Sequence, residues 1–191
     1  IGTVEKSIMV EPDSIYVKPM PSIDLLYFLP KNVFGDHLWS PEKEEPEPYD
    51  LGLIVKNSGQ GKARVFTIET CQPEVVSNEQ GLLVGFEIIG AEVRGQAVEN
   101  SLNINFGDLA PDTSTTARWS MVSPISGTFR DFNATFIHSD GYGGQMTSLI
   151  NSVETKDLIQ NILVDLPGRD EIRDFLGSTG PLMMAHESDG Q

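Results

Sequence analysis

The first place where residue type and spacing could do chemistry is a Gly-x-Gly-Lys, Gly59 to Lys62 in "NSGQGKARVFTIE". A phosphate loop needs Gly-x-x-x-x-Gly-Lys-Ser/Thr opening a helix whose N-terminus receives the anion. Here Lys56 stands where the first Gly belongs, Ala63 follows Lys62, and "RVFTIE" reads as a strand. The phosphate reading fails on all three counts. Lys62 is expected exposed at the tip of a hairpin, with Asn57 and the glycines supplying the positive φ that tight turns demand.

Other reactive patterns are as sparse. His37, His138 and His186 lie far apart and none falls in a His-x-x-x-His or His-Glu-x-x-His spacing. There is no Gly-x-Ser-x-Gly elbow. The single cysteine, Cys71, has no nearby Gly-rich turn or helix to lower its pKa and no partner for an internal disulfide. It reads as a small buried hydrophobe after a strand. Paired carboxylates are plentiful, but no segment builds the cleft that would oppose two of them. The chain is therefore read as non-catalytic, with no organic cofactor.

Calcium is the more serious chemical option. Sandwich-end loops can gather Asp and backbone carbonyls around a hard cation. The candidates are Asp108 and Asp112 at one turn and Asp140 in "HSDGYGG", with Asp165, Asp170 and Asp174 as a second run. No Asp-x-Asp-x-Asp-Gly ladder supports them. Asn133-Ala134-Thr135 is a glycosylation sequon, and alternation puts Asn133 on a wet face. Trp39 and Tyr142, in expected loops, could stack on a sugar, and Tyr27 is a further aromatic of interest.

These residues must be positioned by strands. In "YDLGLIVKN", Leu51, Leu53 and Val55 share a face; in "ARVFTIET", Phe66 and Ile68 do. "SLNINF" sets Leu102, Ile104 and Phe106 inward and Asn103 and Asn105 outward. "STTARWSMV" sets Ala117, Trp119 and Met121 against Thr116, Arg118 and Ser120, and Phe132, Ala134 and Phe136 alternate with Asp131, Asn133 and Thr135. A period of two marks strands with one wet face. Turn residues between many short strands argue for a sandwich or barrel. Trp119 is the expected core aromatic. Near the end, Ile172, Phe175 and Leu176 fall at helical spacing with Gly177 as a cap, and "NSVETKDLIQNILVD" reads as two strands or a short helix.

The strand, "VKNSGQGKA" and the next strand resemble the Asn-x-Gly-x-Gly-x-Ala hairpin of CARDB-type domains, on Asn57, Gly59, Gly61 and Ala63. "FGDLAPDTSTTARWSM" is similar to a later segment of that family, on Leu109, Ala110, Pro111 and Trp119. The resemblance spans residues 23 to 140. It departs from the family in its long insertion before Tyr49 and its long middle from Glu74 to Asn100. It implies an immunoglobulin-like β-sandwich used as a module in large surface proteins.

The expected architecture is thus an all-β, immunoglobulin-like sandwich of about seven to nine antiparallel strands over residues 23–165. Residues 1–22 are expected to form a strand or two and a linker, or the tail of a preceding domain. Residues 166–191 are expected to form an irregular or short-helical linker, or the start of a following domain. The net charge of −15 and pI of about 4.4 repel nucleic acid and anionic membrane. No apolar run approaches the ~20 residues of a membrane span. With its opening at Ile1, the chain reads as a piece of something longer. The functional expectation is a structural or adhesive module of an extracellular or cell-surface protein. Its partners would be neighbouring domains or identical copies, strung head to tail through ends at opposite poles. A carbohydrate-binding module, or an accessory domain of a secreted hydrolase, is the alternative.

Overall fold

The computed structural model describes residues 19–37, 39–77, 82–83, 85–139, 145–146 and 150–189. Fourteen strands lie among them: β1 (Ile23–Leu29), β2 (Asn32–Val33), β3 (Tyr49–Asn57), β4 (Ala63–Ser77), β5 (Leu82–Leu83), β6 (Glu87–Val93), β7 (Gln96–Val98), β8 (Ile104–Leu109), β9 (Thr113–Val122), β10 (Gly127–Ser139), β11 (Gln145–Met146), β12 (Ile150–Ile162), β13 (Asp174–Thr179) and β14 (Leu182–His186). One sheet runs β14-β13-β12-β1-β3-β9-β6-β7; the other carries β10 and β4 at its centre, with β2, β5, β8 and β11 on their flanks.

The alternation in the sequence has the meaning it suggested: the two sheets form an all-β sandwich. Leu53, Val55, Trp119 and Met121 of the larger sheet meet Phe66, Ile68, Ile104 and Phe106 of the smaller one in a single buried cluster. Leu102 packs at its margin, partly buried. Trp119 is fully buried and its indole Nε1–H donates to the Ser101 carbonyl at 2.8 Å, so the polar end of the ring is satisfied. Phe132 and Phe136 fall in β10 opposite Pro73 and Ile68, but their side chains lie outside the described residues.

Three expectations need correction. The strands are more numerous than seven to nine, and they are not all antiparallel. β1 pairs antiparallel with β3 but parallel with β12, Leu25 opposite Val153 and Leu29 opposite Asp157. A parallel neighbour needs a crossover rather than a hairpin, and here the chain crosses from β11 of the smaller sheet before β12 begins. The C-terminal segment is neither helix nor linker. β12 is one long strand, β13 pairs with it, and β14 returns on β13 through Gly180-Pro181. Gly180 has φ +62°, and a positive first position followed by Pro is the primed geometry of a two-residue hairpin. Pairing and the burial of Phe175 override the helical spacing of Ile172, Phe175 and Leu176.

This extension changes the outer face of the larger sheet. Phe175 stacks on Phe28 with centroids 4.7 Å apart and planes 21° from parallel, and Ile54 joins them in a second apolar cluster. β3 is therefore buried on both faces from Leu51 to Val55, where a one-sided strand was expected. A Cβ at Gly52 would lie 2.4 Å from the Phe175 ring, so only glycine lets β13 lie this close.

Candidate functional site

Both described ends of the chain come to one pole. The turns from β3 to β4 and from β8 to β9 are not hairpins, as expected around Lys62, but arches that pass from one sheet to the other. Asn57 joins them. Its Oδ1 accepts from Ser22 N and Gly59 N, and its Nδ2 donates to the carbonyls of Gly61, Leu109 and Ala110. Gly59 and Gly61 do not take positive φ among the described residues, nor does Asn57. Their requirement is space: a Cβ would lie 2.3 Å from Ser22 N at Gly59 and 2.1 Å from the Pro19 carbonyl oxygen at Gly61. Asn57 and the two glycines thus hold residues 19–22 against the arch, while Ala63 is buried in the main core.

At the other terminus, the Ser188 carbonyl accepts from Ser114 Oγ beside the same arches. Ser114 pairs with Lys56, next to the Asn57–Ile23 pair. The incoming and outgoing chains are thus separated by roughly two strand spacings, about 10 Å. Ends at opposite poles, expected for a head-to-tail string, are not what the fold provides.

The opposite pole lies a nine-residue strand away, about 27 Å at the usual rise. It carries the loop from Phe34 to Pro48. Asp36 and Gly35 anchor this loop through Asp36 N to the Pro124 carbonyl at 3.0 Å and Gly35 N to Ser126 Oγ at 3.0 Å. Beyond those anchors, Phe34 is 57% and Trp39 74% exposed. A hollow of about 230 Å³ lies between Phe34, His37, Ile125 and Thr128. Trp39 is the exposed loop aromatic that was expected. Tyr27 is not: it is fully buried in the main core. Tyr142 lies outside the described residues.

The calcium candidates fare unevenly. Asp108 is taken by Lys62, Nζ to Oδ2 2.7 Å, and accepts from Val65 N at 3.0 Å. The Lys62 and Val65 hydrogen bonds hold its carboxyl below the usual carboxylate range. Asp112 is exposed at the second arch with φ +54° and donates its N–H to the Asn57 carbonyl. Asp140 lies outside the described residues. Asp174 is buried and accepts from Val164 N and Ser188 N, which pins the C-terminal strands. Among the described residues no three His, Cys, Asp or Glu side chains sit where one metal could be shared. Asn133 lies in β10 opposite Gln72, and Cys71 in β4 opposite Ala134; their side chains are outside the described residues.

Two polar groups on the outer face went unrecognised in the sequence. Arg118 bridges Glu92 and Asp50, and Asp50 also accepts from Ser120 and Asn161. Burial works against the Arg118 charge, but the bonds to Glu92 and Asp50 outweigh it and raise its pKa further. Arg118→Met should leave two half-buried carboxylates facing each other and cost about 1–3 kcal/mol, read as a lower urea midpoint.

Asp24 is the second. It accepts from Ser58 Oγ at 2.6 Å, Ser152 Oγ at 2.6 Å and Asn151 Nδ2 at 2.7 Å. Burial raises its pKa, but these bonds together with Lys56 prevail and hold it below 3.8. The folded state thus favours the carboxylate. Its contribution is whole above pH 3.8 and is lost as pH falls through the lower folded value. Wild type should accordingly lose more stability than Asp24→Asn between about pH 5 and pH 2, measured as urea midpoints across that range.

No family model, curated protein or solved structure matches this chain.

Proposed function

We propose that this chain is a non-catalytic structural and adhesive module of a larger extracellular or cell-surface protein, of the CARDB type suggested by its Asn57–Ala63 and Leu109–Pro111 turns. The observation that carries this reading is the division of labour between the poles. The described ends enter and leave side by side at the stapled pole, while exposed Phe34 and Trp39 stand on an anchored loop at the other. A module built this way hangs from its neighbours and holds its tip outward. The acidic, proline-rich run "SPEKEEPEP" beside Trp39 keeps that tip extended and solvated.

Antibody raised against residues 34–48 should label intact source cells. Labelling that appears only after lysis overturns the surface assignment. The exposed aromatics also favour a second reading, in which the tip binds carbohydrate. A glycan array probed with wild type and Trp39→Ala separates the two: hits lost in the variant favour sugar binding, and an array without hits favours a purely adhesive or spacing role.

A further inference from the structure

β14 is the edge of the eight-stranded sheet, and among the described residues no strand lies on its far side. The two-residue turn makes Thr179 and Leu182 the closing hydrogen-bonded pair. Alternation from that pair leaves the N–H and C=O of Met183 and Ala185 pointing away from β13. The edge carries no Lys, no Asp or Glu and no internal Pro, the usual protections of an unpaired strand. Leu182 and Met183 are each 62% exposed and Met184 is 51% exposed.

Alongside this edge runs a groove of about 430 Å³. Its floor is the outer face of β12, β1 and β3, with Leu26 and Ile54 apolar and Asp24, Lys56, Ser152 and Glu154 polar. An extended strand laid there would bond to Met183 and Ala185 and cover Met184.

We propose that this groove receives residues 3–17 of a second copy of this chain, added as a strand to β14. Within that segment Ile8 and Val10 share one strand face, and beyond Pro12 Ile15 and Val17 share another. The direction of exit selects the neighbour's groove over the chain's own. Going backward from Ser22, the chain passes Gly59 and then Gly61, so that Pro19 lies near the start of β4 in the smaller sheet. Pro19, the first described residue, therefore lies on the smaller-sheet side of the arch, away from the groove. To fill its own groove the chain would have to reverse around the pole. The reach is ample, because eighteen extended residues span up to about 60 Å. Donor and acceptor are different surfaces, so the contact is head-to-tail and propagates as an open filament. This goes beyond the surface-module reading and names a surface through which copies of this chain would assemble.

Sedimentation velocity on the full chain, with circular dichroism to verify folding, tests the proposal. Wild type should form species larger than one chain as concentration rises. Ala185→Pro removes only an outward N–H and should give a monomer; Met184→Lys, which places a charge on the edge, should do the same. Ile8→Asp combined with Val10→Asp disables the donor and should also give a monomer. An equimolar mixture of Ala185→Pro with the Ile8→Asp/Val10→Asp variant retains one intact donor and one intact groove, and should form a two-chain species that grows no further. A monomeric wild type overturns the proposal, as it would if the chain filled its own groove. Association that survives the edge variants, or a mixture that stays monomeric, overturns it as well. These outcomes are independent of surface labelling, so failure here is separable from failure of the surface-module reading.

Discussion

Asn57→Ala is expected to lower the stability of the fold by about 3–5 kcal/mol, the largest effect of any single polar substitution here. Asn57 is fully buried, and its side chain satisfies five backbone groups drawn from residues 19–22 and both arches. Alanine removes all five bonds at once. Each orphaned buried group costs about 1–3 kcal/mol unless water reaches it, and the exposed Ser58 side of the turn lets water recover part of the loss. Asn57→Asp should be nearly as damaging, because a carboxylate oxygen would face the Gly61, Leu109 and Ala110 carbonyls with no proton to offer. Ser58→Ala, at an exposed neighbour, is the control. Urea titration monitored by Trp119 fluorescence reads all three, and a loss below about 1 kcal/mol for Asn57→Ala would show that the arches hold themselves.

Phe175→Ala should cost about 3–5 kcal/mol and should act first on the C-terminal strands. The ring is buried between Phe28 and the backbone of Gly52, and removing it empties the second apolar cluster. The main core between the sheets does not contain Phe175. Amide exchange should therefore accelerate in β13 and β14 before it does in β3 and β9. Gly52→Val attacks the same contact from the other side, since its Cβ has no room beside the ring, and should reproduce that exchange pattern. Uniform acceleration across all strands in both variants would show that the extension and the sandwich unfold as one unit.

Much of the fold was legible because its core obeys a local rule. Alternation in "SLNINF" and "STTARWSMV" named Ile104, Phe106 and Trp119 as inward, and they are buried. The rule fails where burial is two-sided. Gly52 and Ile54 lie on what alternation calls the wet face of β3, and that face is covered by β13 from more than a hundred residues away. The C-terminal strands were misread for a related reason: Phe175 and Leu176 have a spacing compatible with a helix, and only the partner strand decides the conformation. Asn57, Gly59 and Gly61 were picked out correctly as a turn, but the cause was misassigned. Backbone freedom is a local property; close approach of residues 19–22 is not.

The candidate surfaces divide the same way. Trp39 was legible as an exposed aromatic because it sits in a Pro-rich acidic loop that no strand can cover. Tyr27 was not separable from it by residue type, and its place in β1 buries it. Asp108 looked like a free ligand until Lys62 was found across the arch at 2.7 Å. The open edge of β14 has a sequence signal, an uncharged "LMMA" directly after the Gly180-Pro181 turn.

The sequence by itself determined that this chain builds two-sided sheets around Trp119, because side-chain direction in a strand depends only on odd and even positions. It also determined an acidic surface and the residues of the two arches. Which strands became neighbours, that β12 runs parallel to β1, that both described ends meet at one pole and that β14 is left with an open edge were decided only in three dimensions. Each of those depends on contacts between residues far apart in the chain, and no local period records them.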